Sequence, residues 1–149
     1  MTEPTNSSAK TPWHLWTVGV LSLFWNAMGA LDFTMTLTNN AAYLQRMTPE
    51  QLAYIHGFPL WAVLAWGLGT WGGFLGSVVL LLRRNFAIKL FGASLVGVVF
   101  TNLYSYGLSD LQKVMHGGTG AILFSAVIFV IGVLLLVYAR AMRRRGVLR

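Results

Sequence analysis

The chain has no cysteine. That excludes a disulfide framework, thiol chemistry and any cysteine-ligated metal site. Charge is scarce as well: 10% of the 149 residues are Asp, Glu, Lys or Arg, where a soluble domain carries about 25%. Only four residues are acidic, and they do not pair as catalytic carboxylates. There is no phosphate-cradling loop and no Ser/His/Asp order. Gly67-Leu68-Gly69 lies inside an apolar run rather than after a strand, so its glycines read as packing residues. With no catalytic constellation in view, the chain is expected not to be an enzyme and to carry no cofactor.

What is present is four long apolar runs: Trp13–Leu37, Phe58–Leu82, Phe86–Leu108 and Gly118–Ala139. A bilayer core about 30 Å thick is crossed by roughly 20 helical residues, and each run is long enough. The second and fourth contain no charged residue. Runs this apolar would be hard to hide in one small soluble core. The expected fold is therefore all-α: a polytopic membrane protein, one domain over residues 1–149, built as an antiparallel four-helix transmembrane bundle. The lipid bilayer is its first partner.

The net charge of +7 is unevenly placed. Lys10, Arg83, Arg84, Lys89, Arg140, Arg143, Arg144, Arg145 and Arg149 fall at one set of span ends, and only Arg46 and Lys113 at the other. The positive-inside rule then puts both termini and the 83–89 turn in the cytoplasm. An even number of crossings independently requires both termini on one side. Because the basic tail directly follows a span, it reads as an orientation signal that touches anionic lipid, not as a nucleic-acid grip.

Ala27-Met28-Gly29 is a small-x-small triplet of the kind a signal peptidase accepts. The region before it is poor for that purpose and the apolar part is longer than a signal core, so the first run reads as a span. Residues 1–11 are polar and expected to form a disordered cytoplasmic tail; residues 140–149 form a second, basic one. The one sizeable outer loop, about Thr38–Gly57, carries Thr48-Pro49-Glu50-Gln51, with Thr as N-cap, Pro first and Gln third. A short helix through Leu52, Tyr54 and Ile55 is expected there, lying along the outer surface. Tyr43, Tyr54 and Trp61 would form an outer aromatic belt, and Trp13 and Trp16 mark the opposite interface.

Gly69/Gly73 and Gly72/Gly76 make two overlapping small-xxx-small pairs in the second span. They allow close backbone approach, either within the bundle or to a second copy. A faint repeat pairs Phe24-Trp25-Asn26…Asp32 with Phe100-Thr101-Asn102…Asp110, on two spans that both run outward.

Asp32 lies within about a turn of the outer boundary, at 1.5 Å of rise per residue, and an acid there is costly unless it meets water or a partner. Asn26, Gly29 and Asp32 share one side of the first span, continued by Ser22 and Gly19. On the third span Asn102 and Tyr106 are spaced i, i+4, with Thr101 and Ser105 beside them. If both faces line the interior, Asn26, Asp32, Asn102 and Tyr106 form an outward-opening polar pocket for a small polar solute. The plainer alternative is glue between helices, with Asp32 reaching water or Arg46. His56, His116, Glu50, Asp32 and Asp110 are all placed on the outer side, but no ligand spacing joins them, so no metal site is expected. His14 lies at the opposite face.

Pro12-Trp13-His14-Leu15-Trp16, Trp25-Asn26-Ala27-Met28-Gly29-Ala30-Leu31-Asp32, Thr48-Pro49-Glu50-Gln51-Leu52-Ala53-Tyr54, Gly57-Phe58-Pro59 and the final Arg-Arg-Arg-Gly-Val-Leu resemble small four-span inner-membrane proteins of alphaproteobacteria that carry the label "sugar transporter". The resemblance covers nearly the whole chain. It implies four spans and a bacterial inner-membrane home. Two functions stand side by side. One is a small-solute, sugar-like transporter that acts as an oligomer, since four helices leave little room for alternating access. The other is an accessory or scaffolding subunit of a larger membrane complex. No nucleic-acid partner is expected.

Overall fold

The computed structural model describes residues 11–109 and 119–149. The expected N-terminal tail up to residue 10, the turn around 110–118 and the candidates Asp110, Lys113 and His116 lie outside the described residues. Among the described residues the chain is all-α, with no strand. Six helices follow in order: α1 (Trp13–Leu37), α2 (Ala41–Leu44), α3 (Pro49–His56), α4 (Leu60–Leu81), α5 (Phe86–Asn102, continued by a π-helical segment Leu103–Leu108) and α6 (Thr119–Arg144). Four stretches are long and apolar enough to cross a membrane: α1, α4, α5 with its π segment, and α6. The architecture is that of a polytopic membrane protein.

The simple four-helix bundle needs correction in two respects. Two short helices, α2 and α3, join the first two spans, and the third span changes to π geometry for its last six residues. The packing is also unequal. α4 is the hub, against α5 and α1; α6 packs chiefly on α5. It reaches α1 through His14 Nδ1 and the Tyr138 hydroxyl, 2.6 Å apart, and through the Trp25 and Phe124 rings, 6.4 Å apart.

Lipid tails are as apolar as leucine, so burial alone does not drive these helices together; close contact and hydrogen bonds do. The α4/α5 seam shows how. A Cβ on Gly97 would lie 2.5 Å from the Gly69 nitrogen and the Ala65 carbonyl oxygen. Only glycine permits that approach, and it brings Ser94 Oγ to donate to the Gly69 carbonyl at 2.6 Å. Gly72 meets the Ser94 backbone and Gly76 the Phe91 ring, while Gly73 receives the Asn26 amide of α1. All four stripe glycines are buried. The stripe is consumed inside the chain, so it is not the face that would meet a second copy.

Three helix ends close alike. Asn39 (φ 52), Arg83 (φ 56) and Gly146 (φ 70) take left-handed backbone. The next amide in each case returns to a carbonyl five residues back: Asn40 to Met35, Arg84 to Val79, Val147 to Met142. The last of these shapes the basic segment expected as a tail over residues 140–149. α6 runs on through Arg140, Arg143 and Arg144, cations that suit a helix C-terminus. The chain then turns at Gly146 and tucks Val147 and Leu148 into a core with Leu15, Leu80, Ala87, Phe91, Leu135 and Met142. Arg149 pairs its backbone with Arg83 and Asn85 on the α4–α5 turn, at 2.9 and 2.7 Å. We call this the basic end, and the end carrying α2 and α3 the aromatic end.

Candidate functional site

At the aromatic end α1, α4 and α5 diverge around a half-open cavity of about 150 Å³, lined by Asp32, Thr36, Met47, Ile55, Phe58, Trp66 and Thr101. Its walls arise from local chemistry. α1 stops at Leu37, and the left-handed Asn39, a residue type that tolerates φ > 0, reverses the chain. Asn40 then caps α2, its Oδ1 accepting the Tyr43 amide at 3.1 Å. That fixes Tyr43 so that its hydroxyl reaches back to donate to Asp32 Oδ1. Next, Thr48 and Gln51 exchange the two bonds of a capping box, and α3 delivers Ile55 and, just beyond it, Phe58.

Rings hold this cover in place. Trp66 meets Phe33 edge-on at 4.9 Å, and Phe58 packs on Trp66, Tyr54 and Tyr104 at 6.1, 5.1 and 4.8 Å. Polar ties join the cover to the outer part of α5: Tyr104 donates to the Gly57 carbonyl at 3.2 Å, and the Tyr54 and Ser109 hydroxyls are 3.1 Å apart.

Two features of the residues around the cavity stand out. Helical hydroxyls here return to a carbonyl four residues back, as Thr34 does to Ala30, Thr70 to Trp66 and Thr101 to Gly97. Thr36 is different: it is 2% exposed and its hydroxyl has no partner among the described residues. An unsatisfied buried polar atom costs about 1–3 kcal/mol; this oxygen is itself buried, in a residue that borders the cavity. The second feature is Asp32 itself. Its described partner is Tyr43, not the Arg46 considered above. The hydrogen bond to Asp32, then burial, then the Asp32 charge push the Tyr43 phenol up to about 12, with Arg46 opposing.

Of the four pocket candidates, only Asp32 lines this cavity. Asn26 sits deeper on α1, donating to the Ser22 carbonyl at 2.8 Å and to Ser77 Oγ at 3.1 Å. Tyr106 turns away to α6, donating to the Ala121 carbonyl at 2.9 Å, with Ser125 Oγ 2.8 Å off. The π segment, with its wider turn, separates Tyr106 from the direction the α-helical spacing to Asn102 implies. Asn102 is half-buried at the last α-helical position and is not on the cavity wall. His56 bonds Asn39 Oδ1 at 3.2 Å. Among the described residues no His/Asp/Glu group could hold a metal ion.

Sequence reasoning did not single out Thr36, Met47, Phe58 or Trp66 for this site. Thr36 was within reach, four residues after Asp32 on the same helical face. The others come from separate segments and had no local signal. Comparison with protein-family models, curated proteins and solved structures finds no match to this chain, so function is argued from the site.

Proposed function

We propose that this protein binds a small polar solute in the cavity at its aromatic end, as a component of solute transport across a bacterial inner membrane. The observation that carries the reading is the Asp32 carboxylate on the wall of a half-open cavity that Phe58, Trp66 and Thr101 also line. A polar guest would face that carboxylate. The nine-to-two partition of Lys and Arg supports a cytoplasmic basic end, which makes the cavity outward-facing. The sugar expectation from the family resemblance is one solute class within this reading.

The deciding experiment uses purified full-length protein in mild detergent and in proteoliposomes, screened against sugars, amines and amino acids. At least one solute should raise the melting temperature saturably and be taken up. Both responses should vanish in Thr101→Leu, which narrows the cavity, while its unliganded stability stays near wild type. A panel in which nothing stabilises the wild type would overturn the reading. Cysteines at Gln45 and Arg145, both exposed, test the orientation: an impermeant reagent added to intact cells should label only Gln45→Cys.

The sealed basic end supports a second reading. Leu15, Leu80, Phe91, Met142 and Leu148 are all nearly fully buried there, and a subunit that senses or presents a solute needs no opening on that side. Binding without uptake, together with stable co-purification of another membrane protein, would favour this accessory role.

A further inference from the structure

We propose that the cavity at the aromatic end selects a small organic ammonium ion, with Asp32 as counter-charge and the Trp66 and Phe58 rings as walls. This deepens the solute-binding reading and rests on it. The lining is chemically lopsided. One side offers the Asp32 carboxylate beside Thr36 and Thr101; the rest is Met47, Ile55, Phe58 and Trp66.

Each solute class can be set against that wall. An anion would meet Asp32. A wholly apolar guest would cover the Asp32 carboxylate without offering its second oxygen a partner, and burying an incompletely paired charge is costly. A sugar could stack a face on the rings, but the hydroxyls around its edge need several donors and acceptors, and four of the seven lining residues are apolar or aromatic. An alkylammonium ion fits both halves. Its charge faces the carboxylate, and its methyl or methylene groups lie against rings whose π-faces attract cations.

The carboxylate has capacity left. Tyr43 takes Oδ1, and among the described residues none donates to Oδ2. Size agrees too: an apolar cavity of about 150 Å³ admits benzene, so six or seven heavy atoms fit. The exposed Arg46 is the nearby cation to set against Asp32. It makes no ion pair with Asp32 among the described residues.

The test compares choline with its neutral isostere, in which carbon replaces nitrogen, on wild-type full-length protein in mild detergent. Shape is matched and only charge differs. Thermal shift and intrinsic tryptophan fluorescence, to which Trp66 contributes, give the two affinities; glucose is the third probe. Choline should bind at least about tenfold more tightly than the isostere, and Asp32→Asn should erase that difference. Equal binding of choline and isostere would overturn the proposal. So would saturable binding of glucose with no response to choline, which leaves the solute-binding reading standing. Absence of binding by all three, with no response across the wider panel, sinks both. The wild-type comparison decides the matter even if Asp32→Asn fails to fold.

Discussion

Gly97→Ala adds one methyl group to α5 and should be among the most damaging small changes in this chain. The new Cβ would sit 2.5 Å from the Gly69 nitrogen and the Ala65 carbonyl oxygen, both backbone atoms of a packed helix that cannot rotate away. α4 and α5 must part by roughly 1 Å to restore ordinary contact near 3.5 Å. Parting stretches the 2.6 Å bond from Ser94 Oγ to the Gly69 carbonyl. Overpacking costs about 1–3 kcal/mol, and the weakened interhelical bond adds about 0.6 kcal/mol. Alanine's better helix propensity returns about 0.8–1 kcal/mol. The net expectation is a loss of about 1–3 kcal/mol. Gly92→Ala, on the same helix, is the control, because nothing lies within 4 Å of its new Cβ. It keeps the propensity gain alone and should be neutral to about 1 kcal/mol stabilising. Reversible unfolding in mixed detergent micelles, followed by far-ultraviolet circular dichroism, gives both values. Equal stability of the two variants would refute the close seam.

Thr36→Val replaces a buried hydroxyl, without a partner among the described residues, by a methyl group of the same shape. It should leave the protein as stable as wild type, or up to about 1 kcal/mol more stable, because a buried unsatisfied oxygen is removed; a clear loss of stability would mean that the hydroxyl has a protein partner. Tyr43 gives a pH prediction. Its phenol stands at about 12 against an ordinary value of about 10, so the folded state holds this proton more tightly than the unfolded one. That stabilisation is complete below about pH 10 and is lost as pH rises towards about 12. The tyrosinate absorbance difference between wild type and Tyr43→Phe should titrate near 12, and a midpoint near 10 would show that the Tyr43–Asp32 bond is absent in solution.

The spanning helices were legible because length and apolarity are local properties. The runs read as 13–37 and 86–108 recur with the same bounds, and 58–82 shrinks only to Leu60–Leu81, since Pro59 serves as N-cap. α3 was legible for the same reason: Thr48 and Gln51 are three residues apart and cap each other without help from elsewhere. The site was harder. Asp32 stood out as an acid in an apolar run, but its partner depends on the left-handed turn at Asn39, which swings Tyr43 over it and leaves Arg46 exposed. Asn26 was readable as pocket polarity or as glue between helices, and it ties α1 to Ser77. Tyr106 looked like its companion and instead ties the π segment to α6. In each case a polar group needs a partner at membrane depth, and the pattern of one helix does not say which neighbour supplies it.

The contrast between the two ends follows from side-chain volume along α4. At the basic end Leu80 meets Leu15, Phe91 and Met142, and the folded-back Val147 and Leu148 fill what remains. In the middle Gly69 and Gly72 let the α5 backbone close on α4, and Gly73 and Gly76 make room for the Asn26 amide and the Phe91 ring. One turn further, Trp66 stands where a glycine would continue the stripe, and its ring is braced by Phe33 and Phe58. The facing positions on α1 and α5 are the short Thr36 and Thr101, too small to fill the gap that the indole props open. A bulky residue on the hub helix opposite two small hydroxyl residues leaves a cavity, and the fourth residue on that wall is Asp32's carboxylate. Exchanging sizes, Trp66→Ala with Thr101→Phe, should therefore restore packing without restoring the site. The double variant should melt closer to wild type than Trp66→Ala alone while losing all solute response, and a retained response would place the binding site elsewhere.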